Sequence, residues 1–193
     1  MRVLVLYAHP VEESYGAALH RTVVERLAAA GHVVDDCDLY AEGFEPVLSR
    51  DERLRYHAGA ANRTGVEAYV ERLLAAEALV MVHPVWNFGY PAILKGFIDR
   101  VFLPGVSFRM ENGKVRPNLH NVRKLAVVTT YGADRLRAFL AGDPPRRLAT
   151  RMLRATIRRG APIRYLAHYD MKRSTDASRA RFLARVRAEM STF

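Results

Sequence analysis

The sequence predicts an α/β fold: a three-layer sandwich built on a five-stranded parallel sheet of order 2-1-3-4-5, with helices on both faces. Two observations predict it. Short apolar runs alternate with stretches of helical period along the chain, and such alternation implies parallel strands joined by right-handed crossovers. Two of the runs, Val3 to Ala8 and Leu79 to Val82, are apolar at every position, the mark of central strands covered on both sides. No internal repeat, low-complexity tract or linker interrupts the pattern, so residues 1–193 are expected to form a single domain.

Val3 to Ala8 is the first strand, ending at His9-Pro10. Ser14 can cap the helix that follows, where Leu19, Val23 and Leu27 align at four-residue spacing, and Gly31 stops it. His32 to Leu39 reads as a second strand whose half-polar alternation suits a sheet edge. Tyr40 to Arg63 has no period and is expected to be a surface loop. From Thr64 or Gly65, Val66, Val70, Leu73 and Leu74 mark a helix leading into the third strand at Leu79 to Val82.

A loop then runs from His83 to Tyr90, with Pro84, Trp86, Asn87, Phe88 and Gly89 in it. Pro91 suits a first helical position, and Leu94, Phe97, Ile98, Val101 and Phe102 share one face before Pro104 and Gly105 end the helix. Val106 to Arg116 is a hairpin candidate because Asn112-Gly113 favours a two-residue turn with positive φ. Leu125 to Thr130 is the fourth strand, leading into a polar loop, Thr129 to Gly132. Helical material broken at Pro144-Pro145 fills Leu136 to Arg158. Pro162 to His168 is the fifth strand, and Ser174 or Thr175 caps a last helix with Phe182, Val186 and Met190 inward.

The chain carries 30 Lys and Arg against 20 Asp and Glu, a formal charge of +10. That excess invites a nucleic-acid or membrane-surface reading. Many of the arginines fall late, from Arg146 to Arg187, spread over what read as outer helix faces, and no nucleic-acid motif accompanies them. A solvated surface is the expectation, with no nucleic-acid partner. Cys37 is the one cysteine, which excludes an internal disulfide and a multi-thiol metal site and points to a reducing compartment, the cytoplasm. No apolar run approaches the ~18 residues of a membrane span, and the amino terminus lacks a signal-peptide core. His9, His57, His83 and His120 show no close ligand spacing with carboxylates, so no metal is expected.

In the expected topology the switch point lies between the first and third strands, where open α/β sheets bind ligands. Three loops converge there. The first, His9 to Ala17, leads into a helix amino terminus whose free N–H groups and positive dipole suit a phosphate, with Ser14 and His9 adding side-chain donors. The second, Pro84 to Phe88, sets two aromatic walls beside backbone N–H groups. The third is Thr129 to Gly132.

The string VWNFGYPAILKGFIDRVF, from Val85 to Phe102, closely resembles the flavin-ring loop and following helix of the NAD(P)H:quinone oxidoreductases, which include the drug-activity-modulator and potassium-efflux-associated quinone reductases of bacteria. Asp38-Leu39-Tyr40, Phe44, Pro46 and Ser49 match the same group. The resemblance implies a flavodoxin-like fold and a flavin. The cofactor-binding residues it implies are His9, Ser14, Tyr15, Gly16 and Ala17 at the flavin phosphate, Pro84, Val85, Trp86, Asn87 and Phe88 at the N5 and O4 edge, and Thr129, Thr130, Tyr131 and Gly132 at the N1 and O2 edge. It implies ping-pong hydride transfer from NADPH or NADH through flavin N5 to a quinone-like acceptor, with no catalytic side chain beyond the flavin.

Some members carry Asn where this chain has Gly16, and others Gly where it has Tyr131. A downstream Tyr and His of better-studied relatives have no counterpart in Ala133 to Arg137, so no proton relay is carried over. The moderate loop from Tyr40 to Arg63 and the end at Phe193 favour FMN, with FAD as the alternative. The family also implies a homodimer closing the site, with the aromatic loop and the Val106 to Arg116 hairpin in contact. Two other roles share the fold: an ancillary subunit of a potassium-efflux system, and an azo, nitro or flavin reductase. An electron-carrier flavodoxin is disfavoured, because such carriers are acidic and their phosphate loop is rich in Thr and Ser.

Overall fold

A computed structural model describes all of residues 1–193. Five parallel strands make the sheet: β1 (Arg2–Tyr7), β2 (Val33–Asp38), β3 (Ala78–Val85), β6 (Lys124–Tyr131) and β7 (Ile163–His168). Their order is β2-β1-β3-β6-β7, which is 2-1-3-4-5 once the two strands of a side hairpin, β4 (Phe108–Glu111) and β5 (Lys114–Pro117), are set aside. That hairpin turns at Asn112 and Gly113, both at positive φ (51° and 72°), as the Asn-Gly pair requires.

Alternate residues of the central strands supply two cores. Leu4, Leu6, Leu79, Met81, Leu125 and Val127 face α3 (Glu67–Ala75), α4 (Ala92–Val101) and the helical stretch 144–156. Val3, Val5, Val80, Val82, Ala126 and Val128 face α1 (Tyr15–Ala29) and α8 (Asp176–Ser191), where Phe182, Val186 and Met190 point inward. Cys37 lies in the first core and its thiol is pushed up to about 12 by burial, so it is no nucleophile near neutral pH. No helix is long and apolar enough to cross a membrane.

Three boundaries differ from expectation. β3 continues through Pro84 to Val85, and β6 through Tyr131, so the first two residues of the second loop and the first three of the third are strand. Pro84 is tolerated in this central strand because β1 has ended there: Ala8 N–H donates to the Val82 carbonyl, and two residues on the missing N–H would have met no partner. Pro91 is the residue before α4, not its first, with its ψ of 144° still extended. The segment from Tyr40 to Arg63 contains α2 (Arg50–Arg55) and a short 3-10 turn, Gly59–Arg63. Ser49 and Glu52 form a reciprocal capping box at the start of α2. Arg100 of α4 holds Glu52 at 2.6 Å, in a pair about nine-tenths buried. Burial raises the Glu52 pKa, but the bonds from Ser49 and Arg100 outweigh it and leave the carboxyl below its usual range.

Candidate functional site

The amino terminus of α1 is built as an anion cradle. Ser14 caps it, its Oγ accepting the Ala17 N–H at 3.1 Å, so the hydroxyl proton is still free to donate. The N–H groups of Tyr15 and Gly16 have no intrahelical acceptor, and no acid occupies the first turn. His9 closes the cradle. Val11 N–H donates to its Nδ1 at 3.1 Å, which puts the ring proton on Nε2 and makes that nitrogen a donor. Burial holds the His9 pKa below the ordinary imidazole value, so the ring is neutral at pH 7. A Cβ at position 16 would stand 3.4 Å from both His9 Cδ2 and Ser14 Oγ, so Gly16 keeps the space between the two donors open. Two amides, a hydroxyl, an imidazole N–H and the end of a fifteen-residue helix fit a phosphate monoester.

Beyond β3 the aromatic loop is a tight turn. Trp86 N–H donates to the Gly89 carbonyl at 3.2 Å and Gly89 N–H returns a bond to Trp86 at 2.8 Å. Asn87 and Phe88 take φ of 48° and 56°, the left-handed region that bulky residues avoid. The Trp86 amide is thereby consumed, and the Asn87 and Phe88 amides are left as the donors of this turn. Trp86 and Phe88 remain about two-fifths exposed, flat faces turned to open space. The His9 and Trp86 rings lie 5.9 Å apart, so the cradle and the aromatic wall are neighbours at the carboxyl ends of β1 and β3.

Beside the aromatic wall is a cavity of about 700 Å³, lined by Val85, Trp86, Asn87 and Phe88 on one side and by Tyr131, Gly132 and Ala133 on the other. Pro84, Thr129 and Thr130 do not line it. Thr129 is fully buried in β6, in register with His83. Tyr131 braces the wall: its hydroxyl lies 2.6 Å from both Asp143 Oδ1 and the Tyr165 hydroxyl. Burial and the neighbouring oxygens raise its pKa, so it stays protonated. Tyr15 faces away from the cradle, its hydroxyl donating to the Arg179 carbonyl at 2.7 Å.

The rest of the rim comes from residues that no sequence motif marks: Arg137, Asp170, Lys172 and Arg173. The last three follow β7, and the rule that ligands bind past the carboxyl ends of strands points to them too. A second cavity, of about 380 Å³, adjoins the cradle on the β2 side and holds Tyr7, His20, Glu12, Asp38 and Arg21.

Comparison with known proteins decides the family: the model of the flavodoxin-like fold family matches residues 1–188. The chain belongs to that family. An uncharacterized NAD(P)H oxidoreductase of Haemophilus influenzae is 32% identical over 130 residues, 67% of this chain and 64% of the relative. The NAD(P)H dehydrogenase [quinone] 1 of Rattus norvegicus is 30% identical over 148 residues, 68% of this chain and 54% of that one. The match thus spans between half and two thirds of these relatives. Among solved structures, an NAD(P)H:quinone oxidoreductase from Methanothermobacter marburgensis superposes with a TM-score of 0.84 at 25% identity, over 99% of this chain and 98% of the other.

Within this flavodoxin-like frame His83 is structural. Its Nδ1–H donates to the Pro84 carbonyl at 2.9 Å, while Nε2 is buried without a partner. Burial lowers its pKa from the ordinary 6.5 to about 4. Between those values the unfolded chain binds a proton that the folded chain refuses, so this contribution to stability is full above pH 6.5 and is lost as pH falls toward 4. Denaturant titrations from pH 7 to 4 should show roughly 3 kcal/mol less loss in His83→Gln than in the parent; parallel curves would assign the acid limb to other groups.

Proposed function

We propose that the protein is a flavin-dependent NAD(P)H:quinone oxidoreductase carrying FMN. The observation that carries this reading is a neutral-imidazole, helix-end phosphate cradle lying next to a cavity walled by two exposed aromatic rings. A flavin held there supplies two-electron hydride transfer from a reduced nicotinamide to a quinone-like acceptor. The chain's own part is to bind and to orient. His9, Ser14 and the Tyr15 and Gly16 amides would hold the phosphate; the Asn87 and Phe88 amides and the strand end at Tyr131 and Gly132 would serve the ring. Trp86 and Phe88 offer flat apolar surface for nicotinamide and quinone in turn.

FMN is favoured over FAD because the cavity next to the cradle presents Glu12 and Asp38 against one guanidinium, Arg21, and would repel a second phosphate. A second copy of the chain is proposed to close the open side of the site. An apolar hollow of about 460 Å³ between Phe102, Phe108, Val115 and Met152, beside the hairpin with its exposed Met110, supports that contact.

Steady-state kinetics with reduced nicotinamide and a benzoquinone should give parallel double-reciprocal lines, the mark of one site used in alternation. Intersecting lines would require both substrates to be bound together and would contradict the single-cavity reading.

A further inference from the structure

Past α5 (Arg135–Leu140) the chain reverses at Gly142 and Asp143, both in the left-handed region (φ 81° and 44°), and returns through α6 (Pro144–Arg147). The reversal brings Arg135 alongside Arg146, Arg147 and Arg151 around a cavity of about 360 Å³ that also holds Phe139 and Asp143. These arginines are not a dispersed solvated face. Arg72, Arg100 and Arg164 are each paired with a carboxylate, whereas none of these four has an ion-pair partner. Asp143, the one acid in the lining, accepts the Tyr131 hydroxyl at 2.6 Å. Arg146 is laid over the Tyr165 ring at 5.1 Å, so one of the guanidinium groups is positioned by packing, and the Arg147 guanidinium lies close to Gly142. Phe139 is 74% exposed beside them, a bare aromatic face among cations.

We infer that this cavity binds the phosphorylated adenosine half of the reductant and selects the 2′-phosphorylated dinucleotide, NADPH, over NADH. The inference rests on the redox reading above and adds the substrate. Four guanidinium groups match the charge of a pyrophosphate plus a 2′-phosphate, and Arg binds phosphate oxygens bidentately. A purine can stack on Phe139. Position completes the match. Tyr169 lines this cavity and its ring packs 4.6 Å from that of Tyr131, which lines the ring cavity, so the two hollows share a wall that one dinucleotide could span. Free phosphate would need no aromatic face, and a nucleic-acid backbone would favour a longer basic track than one cavity.

The test is calorimetric titration of the purified, flavin-loaded protein with adenosine 2′,5′-bisphosphate, 5′-AMP, inorganic phosphate and a short DNA duplex. Adenosine 2′,5′-bisphosphate should bind about tenfold or more tightly than 5′-AMP, as expected for at least one added charge-assisted contact. Arg135→Ala with Arg151→Ala, two exposed side chains that make no hydrogen bond or ion pair within the fold, should abolish that difference. In the same variant the KM for NADPH should rise by a larger factor than that for NADH, while the flavin content stays unchanged. Equal affinity for bisphosphate and 5′-AMP in the parent, wild-type discrimination in the double variant, or tightest binding of the duplex would each overturn the inference. The bisphosphate carries no nicotinamide, so failures separate: a flavoprotein that ignores it loses only this subsite, whereas a protein that binds it but retains no flavin loses the redox reading and the assignment to a reductant with it.

Discussion

Replacing His9 and Ser14 together by alanine is expected to weaken flavin binding about a hundredfold, because each charge-assisted bond to a phosphate is worth about 1.5 kcal/mol or more. The two side chains contribute differently. His9 donates from Nε2 only because Val11 N–H occupies Nδ1, and its lowered pKa keeps that arrangement at neutral pH. Ser14 donates its hydroxyl while capping α1 through the Ala17 N–H, so its loss also costs about 1 kcal/mol of helix stability. Ser14→Asp separates the two roles. Aspartate caps equally well, yet sets a carboxylate against the phosphate. Fluorescence titration with flavin should therefore show weaker binding in Ser14→Asp than in Ser14→Ala, with an unfolding midpoint at or above that of the alanine variant. Unchanged flavin affinity in the His9, Ser14 double variant would remove this loop from the site.

A reversal of the usual effect of alanine on helix stability is expected at Gly96. An exchange of glycine for alanine inside a helix ordinarily stabilises by about 1 kcal/mol. Gly96 lies in the middle of α4, buried, where a Cβ would stand 2.5 Å from Pro46 Cα and Cβ. Both neighbours are backbone or ring atoms that cannot swing aside. Pro46 sits between Phe44, whose ring packs 5.4 Å from that of Phe97, and the capped helix α2 held by Arg100. The whole segment from Phe44 to Arg55 must therefore move away from α4. Overpacking of this kind costs typically 1–3 kcal/mol, enough to reverse the sign, so Gly96→Ala is expected to lower the urea midpoint. A midpoint equal to or above the parent's would show that the segment yields freely.

The sheet was legible because its signal is local. Unbroken apolar runs and four-residue spacings place every strand of the main sheet and most helices from side-chain pattern alone. α2 escaped because it buries no residue, so no period marks it; its capping box, Ser49 and Glu52, was the one available sign. The π-helical turn Leu148–Leu153 has no sequence signature at all.

At the site, chain order shows which loops meet but not which groups are already spent. The Trp86 amide is taken by Gly89, and the Tyr131 hydroxyl by Asp143 and Tyr165; these are bonds across space or within a turn whose φ values no residue pattern announces. The four arginines around Phe139 read as scattered until the reversal at Gly142 and Asp143 folds them together. A pair such as Arg135 and Arg151 is neighbourly only in three dimensions.

The central claim is that this crevice holds FMN. Its most direct test is the visible spectrum of the purified protein, followed by heat release and mass measurement of whatever absorbs. Flavin bands are expected, with FMN recovered at close to one per chain. A colourless protein that takes up no added FMN would contradict the claim outright, and stoichiometric FAD would contradict the reading of Glu12 and Asp38 as a barrier to a second phosphate.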